Sequence, residues 1–170
     1  MATPQFIVDI RARAGAILLF LPGVVTVVFD ETGRVLLNRR TDTGRWALIS
    51  GIPDPGEQPA EAAVREIHEE TGIRAVPERI LGVFTNEPVI YGNGDRSQYI
   101  DIVLQCRAVG GEARVNDEES LEVRWYAPGA LPPLSENDGM WIERALREDP
   151  AWFAPAAPPA SWVGSLETGA

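Results

Sequence analysis

Seven residues dense in turn formers, Ser50-Gly-Ile-Pro-Asp-Pro-Gly56, lead within two positions into a helical pattern that carries three glutamates close together near its end and stops at Gly72. The loop must be irregular, because glycine and proline punctuate it throughout. From about Gln58 to Thr71 the residues Ala60, Ala63, Val64, Ile67 and Thr71 recur at helical spacing and predict one stripe for the core. Gly72 stands where a C-cap glycine belongs. Glu66, Glu69 and Glu70 stand at i, i+3 and i+4, which at ~100° per residue fills an arc roughly 100° wide, next to the apolar stripe. Like charges crowded this way weaken a helix. The cost makes sense where a hard divalent cation neutralises them, since magnesium takes oxygen ligands and shares its other positions with water and substrate phosphates. Arg65 precedes Glu69 by four residues and can steady it. His68 falls about 150° from the centre of the arc, too far round to join the same cation. On helix geometry alone a solvated acidic face is the commoner outcome.

The spacing around the helix changes that balance. Gly51, Glu57, Arg65-Glu66-Ile67, Glu69-Glu70 and Gly72-Ile73 fix nine positions across 23 residues, and together they resemble the Nudix box at each defined position. The resemblance extends to Gly33-Arg-Val-Leu-Leu-Asn-Arg-Arg40, to Gly44-Arg-Trp-Ala-Leu48 and to Glu122-Val-Arg-Trp-Tyr126, roughly Gly23 to Leu146 in all. One departure is Ile49-Ser50-Gly51 where the family commonly enters the box through Pro-Gly-Gly.

The resemblance implies a pyrophosphohydrolase that cleaves a nucleoside diphosphate derivative by water attack at phosphorus, with Mg2+ as cofactor and Mn2+ as a substitute. Carried over residue by residue, Glu66, Glu69 and Glu70 would hold the metal together with the Gly51 carbonyl, and Glu57 and Arg65 would brace loop and helix. The general base is either the box residue Glu66 or a carboxylate of Asp117-Glu118-Glu119, of which Glu119 is the candidate; a plain acidic turn is the competing reading. Arg39 or Arg40 is a candidate phosphate contact, Tyr91 and Tyr99 are candidate stacking residues, and Asp101, an acid among Ile100, Ile102 and Val103, is a candidate cavity residue. The alternative function is a non-catalytic nucleotide-sensing module on the same fold, which would be expected to have lost the box carboxylates.

The rest of the chain predicts an α/β/α sandwich around a mixed sheet, with strands over Gly23–Asp30, Arg34–Arg40, Trp46–Ile49, Arg79–Asn86, Gln98–Val109 and Leu121–Tyr126. Ser135 can cap a helix that turns Trp141, Ile142, Ala145 and Leu146 inward. Residues 1–22 read as a helix or strand packed on a domain at 23–148, and 149–170 as a tail whose Trp152, Phe153 and Trp162 suggest docking. The apolar run before Pro22-Gly23 is too short to span a bilayer, and no small-residue cleavage site follows it. A net charge of -10 argues against a nucleic-acid polymer as partner, and the single Cys106 points to core filling in a reducing cytoplasm rather than a disulfide framework. All 15 basic residues are arginines, guanidinium forks suited to phosphate. A homodimer through Ala14 to Leu21 or the tail is compatible with the sequence.

Overall fold

The β-branched run ending at Phe29 forms the spine of the molecule, because both of its faces find partners. The computed structural model describes residues 3–156. In chain order these are α1 (Gln5–Ala14), β1 (Leu18–Phe29), β2 (Val35–Arg40), β3 (Trp46–Ala47), β4 (Ile49–Gly51), α2 (Pro59–Thr71), β5 (Ile73–Thr85), β6 (Val89–Ile90), β7 (Arg96–Gly111), β8 (Ser120–Tyr126), α3 (Glu136–Leu146) and β9 (Trp152–Phe153). The sheet runs β3-β2-β1-β7-β5-β9, with β4 on β1, β6 on β7 and β8 on β2. β1 pairs with β7 in parallel over its whole length, whereas β2, β4 and β8 pair antiparallel, so the sheet is mixed as expected.

Alternation along β1 sends Val27 to one face and Val28 to the other. Val27 joins Val35, Leu37, Leu81 and Val103 under Trp141, Ile142 and Ala145 of α3. Val28 joins Leu36, Ile49, Leu104 and Cys106 under Ala63 and Ile67 of α2. This is the α/β/α sandwich read from the sequence, and Cys106 is fully buried in it. Ser135 caps α3 by accepting the Asp138 N–H at 3.0 Å.

Several boundaries differ from expectation. β5 begins at Ile73 rather than Arg79, because β7 is long enough to pair with it from there. β1 begins at Leu18 and runs through Pro22-Gly23, so residues 18–22 belong to the sheet. Along that stretch only β7 pairs with β1, and the donor that proline lacks can face an open edge. Gly110-Gly111, expected as a turn, instead ends β7, paired with Arg74 and Ile73. Gly111, the last paired residue, adopts φ 91°, which only glycine takes comfortably. Finally, the loop expected between 87 and 95 contains the short strand β6.

α1 closes one end of the sandwich, packing Phe6 and Ile7 on Leu19 and Leu21. The tail docks through β9, which pairs with Gly82 and Val83, and through Trp152, whose ring meets Trp141 edge-on at 5.9 Å. Trp162 lies outside the described residues. Among the described residues no helix is long and apolar enough to cross a membrane.

Candidate active site

α2 starts where sequence chemistry starts it. Pro59 fixes the first turn, and Gln58 and Glu61 form a reciprocal capping box. It ends at Gly72, in the left-handed conformation at φ 71°, whose N–H donates to the His68 carbonyl at 2.9 Å. The buried face coincides only in part with the stripe that periodicity predicted, through Ala63, Ile67 and Thr71. Ala62, Ala63, Glu66, Ile67, Glu70 and Thr71 are buried, while Ala60 and Val64 are exposed. Two of the three glutamates therefore lie inside the protein, a burial that hydrophobic pattern cannot register because a carboxylate scores as polar. Glu69 is half exposed and His68 faces outward.

Arg65 organises this face. Its guanidinium donates to Glu57 through two nitrogens at 2.9 and 2.8 Å, to Glu66 Oε1 at 2.9 Å and to Glu69 Oε2 at 3.2 Å. Bidentate pairing of this kind fixes orientation as well as charge. The Glu57 hydrogen bond leads in raising the Arg65 pKa, and Arg65 in turn holds the Glu57 carboxyl below its ordinary value. Glu66 is seated against Gly51: a Cβ at that glycine would lie 2.0 Å from Glu66 Oε1. Its other oxygen, Oε2, is buried with no hydrogen-bond partner. Burial pushes the Glu66 carboxyl up to about 7 against the pull of Arg65.

Glu70 turns the other way and accepts a hydrogen bond from the Asn38 amide on β2, which also donates to Ser120 Oγ at 3.2 Å. Burial first, then repulsion from Glu66 and Asp117, raises Glu70 to about 8. The 112–119 loop reaches it by capping α2: the N–H groups of Arg114 and Asn116 donate to the carbonyls of Thr71 and Glu70 at 3.0 and 3.2 Å. Its far end is tied down where Thr41 N–H and Oγ donate to the Glu119 carbonyl at 2.8 and 3.0 Å. Arg65 thus draws Glu66 and Glu69 one way and Asn38 draws Glu70 another, and among the described residues no three acidic, His or Cys side chains converge on one point.

A cavity of about 570 Å³ opens beside Gly51 and is lined by Arg40, Glu119, Tyr91, Tyr99 and Asp101 among others. Arg40 is held by Asp42 through 2.9 and 2.7 Å bonds, while Arg39 lies outside the cavity lining and pairs with Glu122 on β8 at 3.3 Å. The Tyr91 and Tyr99 hydroxyls meet at 2.7 Å, and burial raises the Tyr91 pKa. Asp101 is 8% exposed, and desolvation lifts its carboxyl to about 6. Three contributors escaped the sequence reading: Asn38, Asn86 and Arg11 of α1, which donates to the Arg96 carbonyl at 2.6 Å and to Ser97 Oγ at 3.2 Å. Each is a lone polar residue whose partner lies far along the chain, so no local pattern announces it.

These shifts dictate how stability varies with pH. Glu66, Glu70 and Asp101 bind protons more tightly folded than at their ordinary values of 4.5, 4.5 and 3.8, so they favour the fold at low pH and cease to as pH rises toward about 7, 8 and 6. Glu57 and Asp42 are shifted down, so their support is complete above 4.5 and 3.8 and is lost as pH falls. Thermal melts of the chelator-treated protein are expected to peak close to the ordinary glutamate value of 4.5 and to decline through neutrality. A profile that stays flat or rises between about pH 5 and 8 would show these carboxyls to be unshifted.

The sequence profile of the NUDIX domain matches residues 19–147. An ADP-ribose pyrophosphatase of Methanocaldococcus jannaschii is 31% identical over 134 residues, covering 76% of this chain and 76% of that protein. The 8-oxo-dGDP phosphatase NUDT18 of Homo sapiens is 34% identical over 122 residues, 68% of this chain but only 35% of that protein, so the chain spans about a third of its length. Among solved structures, a MutT protein from Methanosarcina mazei Go1 superposes with a TM-score of 0.62 at 28% identity, covering 77% of this chain and 96% of that one.

Proposed function

Because this chain belongs to the NUDIX domain family, we propose that it is a Mg2+-dependent pyrophosphohydrolase that splits the diphosphate linkage of a nucleoside diphosphate derivative. The observation that carries the proposal is the Glu66 carboxylate, fully buried against Gly51 with Oε2 unpartnered, beside a cavity sized for a nucleotide. A buried anionic oxygen without a donor is costly unless a cation completes it. Glu66, Glu69, Glu70 and the Gly51 carbonyl would hold Mg2+, with Mn2+ as a substitute; all are hard oxygen donors of the type the ion takes, and binding would require Glu70 to turn from Asn38 toward the other two. When bound, the ion supplies charge neutralisation at phosphate oxygens and acidifies the attacking water.

The chain's own groups do the rest. Arg65 restrains Glu66 and Glu69, and through Glu57 it ties the helix to the loop that carries Gly51. Arg40, at the cavity edge, offers guanidinium donors to a phosphate once Asp42 releases it, and Arg39 is the outer candidate for the same role. The oxygen of water forms the new bond to phosphorus, the bridging P–O bond breaks, and its electron pair leaves with the departing phosphate. The proton passes to Glu66 or to Glu119, which is among the residues lining the cavity. Tyr91 and Tyr99 flank the nucleoside. The same reading puts the protein in the cytoplasm and has it pair as a homodimer through Ala14 to Leu21, where Ile17, Leu18 and Phe20 are exposed, or through the tail, which sedimentation of the purified protein tests.

The test is release of phosphate from a panel of nucleotide sugars, ADP-ribose and nucleoside di- and triphosphates, with and without added pyrophosphatase or phosphatase, in Mg2+ or chelator. Turnover of at least one compound, present only with the metal, is expected. No turnover across the panel together with no thermal stabilisation by Mg2+ would favour the nucleotide-sensing module instead.

A further inference from the structure

The cavity has a second end. On the strand beside Gly51, residue Gly23 faces Asp101 of β7, and a Cβ there would stand 2.1 Å from Asp101 Oδ1. The absence of a side chain at 23 thus makes the notch that admits the carboxylate. Asn86 then fixes it. The Tyr99 N–H can only donate, so Asn86 Oδ1 accepts it at 3.0 Å and the amide nitrogen is turned toward Asp101 Oδ2, 3.2 Å away. The Asn86 backbone is itself held, its N–H donating to the Tyr99 carbonyl at 3.2 Å and its carbonyl accepting from Gln98 at 2.9 Å. Among the described residues no ion pair reaches Asp101. The cavity it faces is lined by apolar and aromatic residues, Ile7, Leu21, Val89 and the two tyrosines, together with polar ones that include Arg11, Asp95 and Ser97, and Arg11 is already engaged with Asp95 and Ser97. With its pKa at about 6 the group is an anion at neutral pH, an acceptor and not a donor.

A nearly dry, oriented carboxylate with no cationic partner is a detector of N–H donors. Gly51 pairs with Val24, and Asp101 pairs with the adjoining Gly23 across β1, so the two ends lie about two inter-strand spacings apart, ~10 Å. A nucleoside 5′-phosphate bridges such a span with its phosphorus at one end and its base at the other. A carboxylate matches an edge that offers two adjacent donors, as guanine does with its ring N–H and exocyclic amine. Adenine sets an acceptor beside its amine, and uracil sets carbonyls beside its single N–H. We infer that Asp101, positioned by Asn86, is the base-reading acceptor of this site and selects nucleotides whose base presents adjacent N–H donors, the guanine class. The inference rests on the hydrolase reading for the placement of the phosphates.

Its test does not depend on turnover. Calorimetric titration of the full chain in Mg2+ with GMP, IMP, AMP and UMP compares bases directly, and IMP differs from GMP only by the exocyclic amine. Loss of one hydrogen bond to a charged acceptor is expected to weaken IMP roughly 10- to 100-fold relative to GMP, with AMP and UMP weaker still. Asp101→Asn keeps the shape and is expected to bring GMP and IMP within a few-fold of each other, while Asn86→Ala lowers GMP affinity and narrows the ratio. Melting temperatures identify any variant that fails to fold. Equal binding of GMP and IMP by the parent protein overturns the inference, as does a ratio that survives Asp101→Asn in a folded variant, or no binding of any monophosphate. Turnover of nucleotides with a flat base preference would leave the hydrolase reading standing and sink this one; guanine-selective binding without turnover would do the reverse.

Discussion

Glu66→Gln is expected to cut turnover by on the order of 10²- to 10⁴-fold, equivalent to several kcal/mol of barrier, while leaving the metal-free protein at least as stable as the parent. The two halves of this result come from the same atom. Glu66 Oε1 accepts from Arg65, and a glutamine carbonyl placed there still accepts, though without the charge assistance. Oε2 is buried with no donor, so the parent carries a charge that its surroundings disfavour, as the carboxyl raised to about 7 records. Removing that charge relieves desolvation at no cost in shape. What the amide cannot do is serve as an anionic ligand, so the thermal shift on adding Mg2+ should shrink with the rate. Initial rates and melting curves in chelator and in Mg2+ measure both. A variant that keeps near-parental turnover would remove Glu66 from the chemistry, and one that is simply unfolded would remove the argument about its charge.

Trp141→Ala is expected to cost about 3–5 kcal/mol in stability, the largest effect of any single core truncation here. Its side chain is 1% exposed and stands between Phe84, at 5.4 Å between ring centroids, and Trp152, at 5.9 Å. The indole also fills the space that Gly82 leaves: a Cβ at that glycine would lie 2.5 Å from Trp141 Cη2. An alanine at 141 would leave a void that rigid strands cannot close, and it would free β9, whose Trp152 rests on the same ring. Urea unfolding followed by circular dichroism measures the loss, and a cost below about 1 kcal/mol would mean that α3 is not seated on the sheet as described.

How much of this the sequence disclosed depended on the range of each signal. The start and stop of α2 were legible, since Pro59, the Gln58–Glu61 box and Gly72 act within a turn of where they stand. The Arg65–Glu69 contact was legible for the same reason. The two-sided sheet followed from strands that bracket a central helix, with helices toward both ends. The direction α2 faces was legible only in part: Ala63, Ile67 and Thr71 are buried as expected, but an apolar stripe has no way to include the buried Glu66 and Glu70. Asp101 was legible as an anomaly, an acid within an isoleucine strand, but its partner Asn86 and its notch at Gly23 are products of strand register. The same holds for Asn38, which meets Glu70 from 32 positions away, and for Arg11, which reaches across 85 residues to β7.

The glycine notches have an evolutionary corollary. Gly51 and Glu66 occupy one volume between them, and so do Gly23 and Asp101. A descendant that gains any side chain at position 51 must first shorten or expel residue 66, and a descendant that shortens 66 first has already surrendered the ligand. Neither order passes through a competent intermediate, so each pair is epistatically locked and drifts together or stays put. The two locks sit at opposite ends of one cavity. Their tenants can therefore be exchanged independently, which lets a lineage remodel one end of the cavity while the other end is left untouched.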